Sequence, residues 1–292
     1  MAKTGFLERN LSVIFPLPAV LFIFLLMVFP VGYTLFLSFT NWSLTSGMPF
    51  AFVGFQSYFR VFTEPRFLDA IGRTFAFTGL ALLLETFIGV TIALILNREF
   101  RGKGLIKLLL LLPLVATPVA VGIVFNLFYD PTIGLANWAL VQAGLPKLEW
   151  VSNSATVLPS LVLVDTWQWT PMITLIVLAG LASLPTDPYE SARVDGANAA
   201  QTLWLITLPM LAPAILTAMI LRLIDALKTF DIIYAMTSGG PGYSSETLNI
   251  LGFKYSFEYF RMGQASVILV SLFVIVLASS LGIMKARAKV EG

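Results

Sequence analysis

The sequence contains no cysteine and no histidine among its 292 residues. Without cysteine, the chain cannot form a disulfide, hold an iron–sulfur cluster through thiolates or carry out thiol chemistry. Without histidine, it lacks the commonest general base and the commonest transition-metal ligand, which argues against an ordinary zinc enzyme. Charged residues are also scarce, at 12%, and the net charge is only +2. Because the basic residues cluster beside apolar runs, where they have a topological use, no nucleic-acid partner is expected.

Long apolar runs take up most of the chain, and 58% of its residues are hydrophobic. Several of these runs exceed the roughly 20 residues that a helix needs to cross a bilayer. The first run is too long for a signal-peptide core, so we expect it to remain as a membrane anchor. The sequence predicts an all-α integral membrane protein, a single transmembrane domain over 1–292, with six spans at about 11–39, 71–97, 105–128, 156–183, 210–237 and 262–284.

Prolines in the first and third predicted spans are expected to bend them. Membrane helices tolerate such prolines when neighbouring groups satisfy the freed carbonyls. The first span contains Pro16, Pro18 and Pro30, and the third contains Pro113 and Pro118.

The distribution of basic residues predicts the orientation of the six spans. An even number of spans puts both termini on one side, and that side carries Lys3, Arg9, Arg98, Arg101, Lys103, Lys107, Arg193, Lys285, Arg287 and Lys289. The other side has longer loops but fewer basic residues, namely Arg60, Arg66, Arg73, Lys147, Lys254 and Arg261. The positive-inside rule therefore predicts that both termini are cytoplasmic.

The loop between the fourth and fifth spans carries its own helix signals. Asp187 is a good N-cap residue, Pro188 suits the first helical position, and Glu190 completes a capping-box spacing. A short helix is therefore predicted to start at Asp187, and Gly196 would allow the backbone to reverse after it. Asn198 can cap a second helix, which is predicted to end near Thr207 because Pro209 follows. The plain alternative is an ordinary connecting loop.

This loop resembles the EAA loop of bacterial ABC-importer permeases, in the version found in carbohydrate permeases of the maltose and glycerol-phosphate type. The resemblance rests on the spacing of Glu190, Ala192, Asp195, Gly196, Ala197, Ile206, Leu208 and Pro209. Ser191 departs from the alanine that is usual at the second position, but it is also small. The resemblance implies that the loop is cytoplasmic and docks on a separate ATPase subunit. Its coupling residues would be Glu190, Ala192, Asp195, Gly196 and Pro209.

Charged residues lie inside the predicted membrane region, where each costs at least about 2.5–3.5 kcal/mol on the insertion scale. Glu85 in the second span must therefore face the bundle interior or a cavity. The fifth span carries Arg222, Asp225, Lys228 and Asp231, whose three-residue spacing predicts a ladder of ion pairs along one helix face. Such a ladder could lock helices together, or it could form the polar wall of a water-accessible pathway.

The fourth span combines aromatic and polar side chains in a short stretch. Trp167 and Trp169 lie close to Asp165 and Gln168. Indole rings pack on the apolar face of a sugar, and carboxylates and amides bind its hydroxyl groups, which favours a sugar or polyol site. The alternative is that the tryptophans pack against lipid or neighbouring helices.

The resemblance also implies which residues contact the substrate. The segment DTWQWTPM aligns with the sugar-contacting stretch of maltose-type permeases, and the segment KTFDIIYAMTSGGPG aligns on the helix after the loop. The residues that this alignment places at substrate-contacting positions are Asp165, Gln168, Trp169, Met172, Asp225, Lys228 and Thr229.

No G-x-x-x-x-G-K-[ST] phosphate-binding motif occurs in the sequence. The resemblance therefore implies a non-enzymatic permease in the bacterial cytoplasmic membrane, without a cofactor of its own, while ATP and Mg²⁺ bind to two partner ATPase subunits. A second permease subunit, an external solute-binding protein and membrane lipid are the other expected partners, and a sugar or polyol is the expected substrate. An importer for an anionic sugar derivative or other small solute, or an ion-coupled carrier, are the alternatives.

Overall fold

The computed structural model describes residues 15–47 and 49–291, and this part of the chain is almost entirely helical. Its only β structure is an isolated bridge between Thr40 and Phe52. The α-helices are α1 (Leu17–Ile23), α2 (Phe29–Leu37), α3 (Gln56–Phe62), α4 (Pro65–Leu96), α5 (Lys103–Val115), α6 (Pro118–Phe128), α7 (Leu135–Gln142), α8 (Val157–Ala182), α9 (Asp187–Val194), α10 (Ala199–Thr202), α11 (Leu208–Leu227), α12 (Asp231–Thr237), α13 (Leu248–Phe253) and α14 (Met262–Glu291).

The described helices confirm the prediction of an all-α membrane protein. Five helical stretches are long and apolar enough to cross a membrane. The number of candidate spans is six if the bent pair α5–α6 counts as one span. The stretches are Leu17–Leu37, Pro65–Leu96, Val157–Ala182, Ala199–Leu227 and Met262–Lys285. The start of the predicted first span, residues 11–14, lies outside the described residues.

The third span is bent by 101° between α5 and α6. Thr117 is extended because it precedes Pro118, and Pro118 then occupies the first turn of α6. The predicted kink at this proline is therefore confirmed. In the first span, by contrast, Pro16 caps the helix and Pro18 lies in its first turn, where proline fits without bending the helix. Whether these two prolines bend the predicted span stays a prediction, because residues 11–14 lie outside the described part of the chain.

The fifth span differs most from its prediction. The helix that begins at Ala199 does not end near Thr207, because a π-helical turn over Leu203–Thr207 joins α10 to α11. Pro209 has no N–H for the regular hydrogen-bond ladder, and a π turn immediately before it provides a local change of bonding pattern. A similar π turn, Phe24–Val28, precedes Pro30 in the first span.

The far end of the fifth span also needs correction. The helix ends at Leu227 instead of continuing to residue 237, and a separate helix, α12, starts at Asp231. The interruption falls at Lys228–Phe230, where the backbone of Lys228 and Phe230 leaves the helical region. The second span differs in a smaller way, since α4 begins at Pro65 and not near Ile71.

The chain forms two compact units. One comprises Met1–Phe67 and Gly252–Ser271, and the other comprises Leu68–Leu251 and Leu272–Gly292. In the first unit, the Tyr255 hydroxyl donates to the Glu64 carboxylate at 2.6 Å, and burial together with this carboxylate raises the pKa of Tyr255. The prediction of one transmembrane domain over 1–292 stays a prediction.

The second unit holds the candidate site, and α8 lies at its centre. A cluster of buried apolar side chains joins α8 to α4 and α11, and it includes Ala93, Ile173 and Leu211. Two glycines bring these helices close together: a Cβ on Gly89 would lie 2.9 Å from Ile173, and a Cβ on Gly180 would lie 2.6 Å from Ala214. Close approach of α4, α8 and α11 is what allows their charged side chains to meet.

Candidate functional site

Three charged side chains from three helices meet in the interior of the second unit. Arg222 on α11 donates from Nε to Glu85 Oε2 at 2.6 Å and from Nη2 to Glu85 Oε1 at 3.1 Å. The same Nη2 also donates to Asp165 Oδ2 on α8. All three residues are at most 1% exposed. We call this group the Arg222 cluster, comprising Glu85, Asp165 and Arg222.

The Arg222 cluster explains how these charges are tolerated at membrane depth. A buried charge is costly unless it is paired and hydrogen-bonded, and here one guanidinium serves two carboxylates. The expectation that Glu85 faces the interior is confirmed, because its side chain is completely buried. Its partner was not predicted, although the rule that intramembrane charges pair could have suggested Arg222 as the cation for Glu85 and Asp165.

The predicted ladder along the fifth span is therefore only partly right. Asp225 and Lys228 form an ion pair at 3.4 Å between Lys228 Nζ and Asp225 Oδ1. Arg222, however, pairs with carboxylates on two other helices. Because the helix ends at Leu227, Asp231 begins α12 and does not continue the ladder on the same helix.

A cavity of about 300 Å³ opens at the break between α11 and α12. It brings together five of the seven residues that the alignment predicts to contact substrate: Asp165, Trp169, Asp225, Lys228 and Thr229. The other lining residues are Pro118, Arg222, Phe230, Asp231 and Ile232. Of these, the sequence analysis considered only Arg222 and Asp231, as part of a possible polar pathway wall. A helix break inside a predicted span could have indicated this position, because interrupted helices line cavities in membrane proteins.

The other two predicted contacts, Gln168 and Met172, do not line this cavity. Gln168 is buried, and its amide donates to the carbonyl of Ala116 at 3.0 Å, in the break between α5 and α6. Met172 is half-buried on α8. A substrate role for these two residues stays a prediction. Trp167, also on α8, packs against Phe125 with ring centroids 5.3 Å apart.

Two features of the cavity bear directly on ligand binding. The Arg222 guanidinium lies over the ring of Trp169, with its carbon 5.2 Å from the ring centroid. Asp165 uses Oδ2 for Arg222, whereas its buried Oδ1 has no hydrogen-bond partner in the described part of the chain. A buried acceptor without a partner is costly, so this oxygen is suited to a ligand that donates a hydrogen bond.

The loop between α8 and α11 folds as a helix, a glycine turn and a second helix. Gly196 has φ 76°, the left-handed conformation expected for it. Its N–H bonds to the Arg193 carbonyl and the N–H of Ala197 bonds to the Ala192 carbonyl, which together form a Schellman motif. The prediction that Gly196 reverses the chain is supported by this geometry.

The caps of these two helices are not equally well predicted. Asn198 caps the second helix as expected and forms a capping box with Gln201. The first helix does start at Asp187, but Thr186 is its cap residue and provides no side-chain hydrogen bond. The predicted capping box of Asp187 and Glu190 is therefore wrong. Backbone bonds from Tyr189 and Glu190 to the Thr186 carbonyl extend the helix by one residue, which places Asp187 inside it.

The predicted coupling residues divide into a packed one and exposed ones. Ala192 is buried, whereas Glu190, Asp195, Gly196 and Pro209 are exposed. Large apolar side chains are exposed on the same segment, namely Val194 at 87%, Trp204 at 68% and Leu205 at 72%. The segment also borders a cavity of about 720 Å³ whose walls include Arg98 and Arg193.

Comparison with known proteins identifies the family. Residues 85–289 match the family described as binding-protein-dependent transport system inner membrane component, a range that includes the Arg222 cluster and the loop. The chain is 34% identical over 284 residues to the trehalose/maltose transport system permease protein MalF of Thermococcus litoralis, covering 97% of this chain and 96% of that one. It is 34% identical over 268 residues to the sulfoquinovosyl glycerol transport system permease protein SmoG of Agrobacterium fabrum, covering 92% and 87%.

A solved structure shows the same fold. It is the crystal structure of a bacterial ABC transporter involved in the import of the acidic polysaccharide alginate, with a TM-score of 0.83, 21% identity and 97% of each chain covered. At this identity the likeness bears on the fold alone, and it agrees with the family match. This chain belongs to the family of binding-protein-dependent transport system inner membrane components.

Proposed function

We propose that this chain is the permease subunit of an ATP-driven importer that carries a sugar or polyol across the cytoplasmic membrane. The observation that carries the proposal is the cavity at the α11–α12 break, which collects Asp165, Trp169, Asp225, Lys228 and Thr229 from separate segments. The similarity to a trehalose/maltose permease along nearly the whole chain supports the same substrate class.

The cavity has the chemistry that a carbohydrate site requires. The Trp169 indole offers an apolar surface for the C–H face of a sugar ring, and the carboxylates accept hydrogen bonds from hydroxyl groups. Its volume of about 300 Å³ lies at the lower end of the range for small-molecule sites. A ligand that leaves these buried groups unpaired would bind poorly, which gives the site its selectivity.

The proposed assembly contains a second permease subunit, two ATPase subunits and an external solute-binding protein. ATP and Mg²⁺ would bind to the ATPase subunits, so this chain would need no cofactor and would catalyse no reaction. Residues 187–209 would dock on an ATPase subunit, with both termini and this segment in the cytoplasm. The exposed Val194 beside the exposed Glu190 and Asp195 supports docking, because protein interfaces combine apolar and polar side chains.

The arrangement of helices suggests how ATP hydrolysis reaches the substrate. The docking segment connects α8 directly to α11, and these two helices carry Asp165, Trp169 and Asp225. A movement of the segment would therefore displace both walls of the cavity. Coupling requires an element whose state both sites bias, and the α8–segment–α11 unit meets that requirement.

An importer for an anionic sugar derivative is the second candidate. Two observations favour it: the cation Lys228 lines the cavity with its side chain 51% exposed, and one relative is named as a sulfoquinovosyl glycerol permease. An ion-coupled carrier is a further alternative, in which the Arg222 cluster would serve as the relay. Removing ATP separates the ion-coupled carrier from both importers, because only an ATP-driven importer stops when ATP alone is withdrawn.

The substrate site can be tested by comparing two tryptophans of α8. We expect Trp169→Ala to raise the substrate concentration needed for half-maximal uptake, because the cavity loses its aromatic surface. Trp167→Ala is the matched control, since Trp167 packs against Phe125 outside the lining of the cavity. Uptake by the assembled importer is measured over a range of sugar concentrations. An unchanged concentration dependence in Trp169→Ala would remove this residue from the site.

The coupling role can be tested at the glycine turn. A β-branched residue at Gly196 would be strained at φ 76°, so Gly196→Ile is expected to disturb the docking segment and abolish uptake while the protein stays in the membrane. Gly144→Ile is the matched control, because Gly144 also has a left-handed φ, 75°, and open space around it but lies outside this segment. Uptake and co-purification of the ATPase are measured at equal abundance. Normal uptake in Gly196→Ile would contradict the coupling role.

A further inference from the structure

The positive charges that line the cavity are already paired with carboxylates. Arg222 binds Glu85 through two nitrogens and Asp165 through one of them. Lys228 lies 3.4 Å from Asp225. An anionic ligand would therefore compete with a carboxylate for either cation.

Among the lining residues, the side-chain groups without a cationic partner are hydrogen-bond acceptors. Asp165 Oδ1 is buried and has no partner in the described part of the chain, although the residue itself lines the cavity. Asp231 also lines it, and its side chain is exposed. The cavity is thus lined by three acidic residues, Asp165, Asp225 and Asp231, and two basic ones, Arg222 and Lys228. The buried Glu85 does not line the cavity but is hydrogen-bonded to Arg222.

We propose that this cavity selects neutral, polyhydroxylated solutes and discriminates against anionic derivatives. This inference rests on the proposed function and narrows its substrate class. A hydroxyl group of such a solute can donate to Asp165 Oδ1 and satisfy an acceptor that is otherwise buried without a bond. A phosphate, sulfonate or carboxylate would instead bring another negative charge into a site whose lining already carries an excess of one.

Arg222 acts in this site as a positioning residue. Its guanidinium holds Asp165 through Oδ2, while Oδ1 has no partner in the described part of the chain, and it also lies over the Trp169 ring. Arg222 thus orients both Asp165, which would accept a hydrogen bond from the ligand, and Trp169, which would offer it an apolar face. Glu85 in turn fixes the guanidinium by two hydrogen bonds, a geometry that lysine cannot reproduce.

Glu85 is the part of the cluster that sets the charge without lining the cavity. Replacing it with glutamine removes one of the two carboxyl groups that bond Arg222 and keeps the size of the side chain. The guanidinium then has a single carboxylate partner, Asp165. The positive charge that reaches the cavity rises, so discrimination against anions should fall in Glu85→Gln.

The experiment measures binding of matched neutral and anionic sugars to the complete importer. The assembled complex is purified into lipid nanodiscs without its solute-binding protein, so that only the permease site is sampled. Equilibrium dialysis then compares trehalose with trehalose 6-phosphate, maltose with maltose 1-phosphate, and glycerol with glycerol 3-phosphate. We expect at least one neutral compound to bind about tenfold or more tightly than its phosphorylated partner, because a like charge in this site is strongly disfavoured.

Variants then assign the discrimination to the cluster. Glu85→Gln is expected to reduce the neutral-to-phosphorylated ratio, and Arg222→Lys is expected to raise the dissociation constant of the neutral sugar and its half-saturating concentration in uptake without an equal loss of maximal rate. A ratio that is unchanged in Glu85→Gln would contradict the role of the cluster. The wild-type ratio is measured independently, so the inference remains testable even if a variant does not fold.

The two proposals fail in different ways. Tighter or equal binding of a phosphorylated compound in every pair that binds would overturn the inference and leave a sugar importer in place. If none of the six compounds binds and ATP-driven uptake of sugars is absent from a broad panel, the proposed function itself is wrong, and the inference falls with it.

Discussion

Two ionic groups near the end of α11 each pair a basic side chain with carboxylates, but in different surroundings. The Arg222 cluster is at most 1% exposed and joins three helices, whose contributing residues are separated by 57 and 137 positions from Arg222. The Lys228–Asp225 pair is local, and its side chains are 51% and 48% exposed. Burial, and not the presence of opposite charges, therefore decides which group holds the fold together, because exposed ion pairs contribute little.

The largest expected effect comes from removing the cation of the buried group. Arg222→Leu would leave Glu85 and Asp165 buried without a counter-charge, and breaking a buried pair in this way costs about 3–5 kcal/mol. The thermal unfolding temperature of the purified protein should fall sharply, and its abundance in the membrane should fall with it. Arg101→Leu, at an exposed position, is the matched control and should change little. Equal stability of the two variants would show that the cluster does not hold the helices together.

A smaller effect is expected when one carboxylate of the cluster is neutralised. Glu85→Gln keeps the side-chain volume, and its amide oxygen can still accept a hydrogen bond from Arg222. Arg222 also keeps Asp165 as its counter-charge. Loss of one charged hydrogen bond should cost about 1.5–3 kcal/mol, less than Arg222→Leu. The same thermal measurement orders the two variants, and a loss in Glu85→Gln as large as in Arg222→Leu would contradict this account.

The features that were predictable from the sequence are those set by neighbouring residues. Apolar length predicts the spans, and a proline predicts the break before α6, because both act within a few residues. The left-handed turn at Gly196 and the capping box of Asn198 are local for the same reason. Their geometry is decided by the chain on either side and needs no partner from elsewhere.

The Arg222 cluster could not be predicted in the same way. Residue spacing along α11 favoured partners on the same helix, and it assigned Arg222 to Asp225. In the folded protein, close packing of α4, α8 and α11 offers Glu85 and Asp165 instead, and burial makes these contacts stronger than an exposed one. The π turn before Pro209 was missed for a related reason, since the rule that proline ends a helix does not include a change of hydrogen-bond pattern.

The smallest effect is expected at the exposed pair. Lys228→Met keeps the length of the side chain and removes its charge, and an exposed pair contributes about 0.2–1 kcal/mol. The backbone carbonyl of Lys228 still accepts the hydrogen bond from Asn249, so the break after α11 should keep its geometry. Thermal unfolding in low salt should therefore show a small loss, and the loss should shrink in about 1 M salt, where the Debye length is about 3 Å. A loss that is large or independent of salt would mean that this pair contributes to the fold as a buried pair does, and the contrast with the Arg222 cluster would disappear.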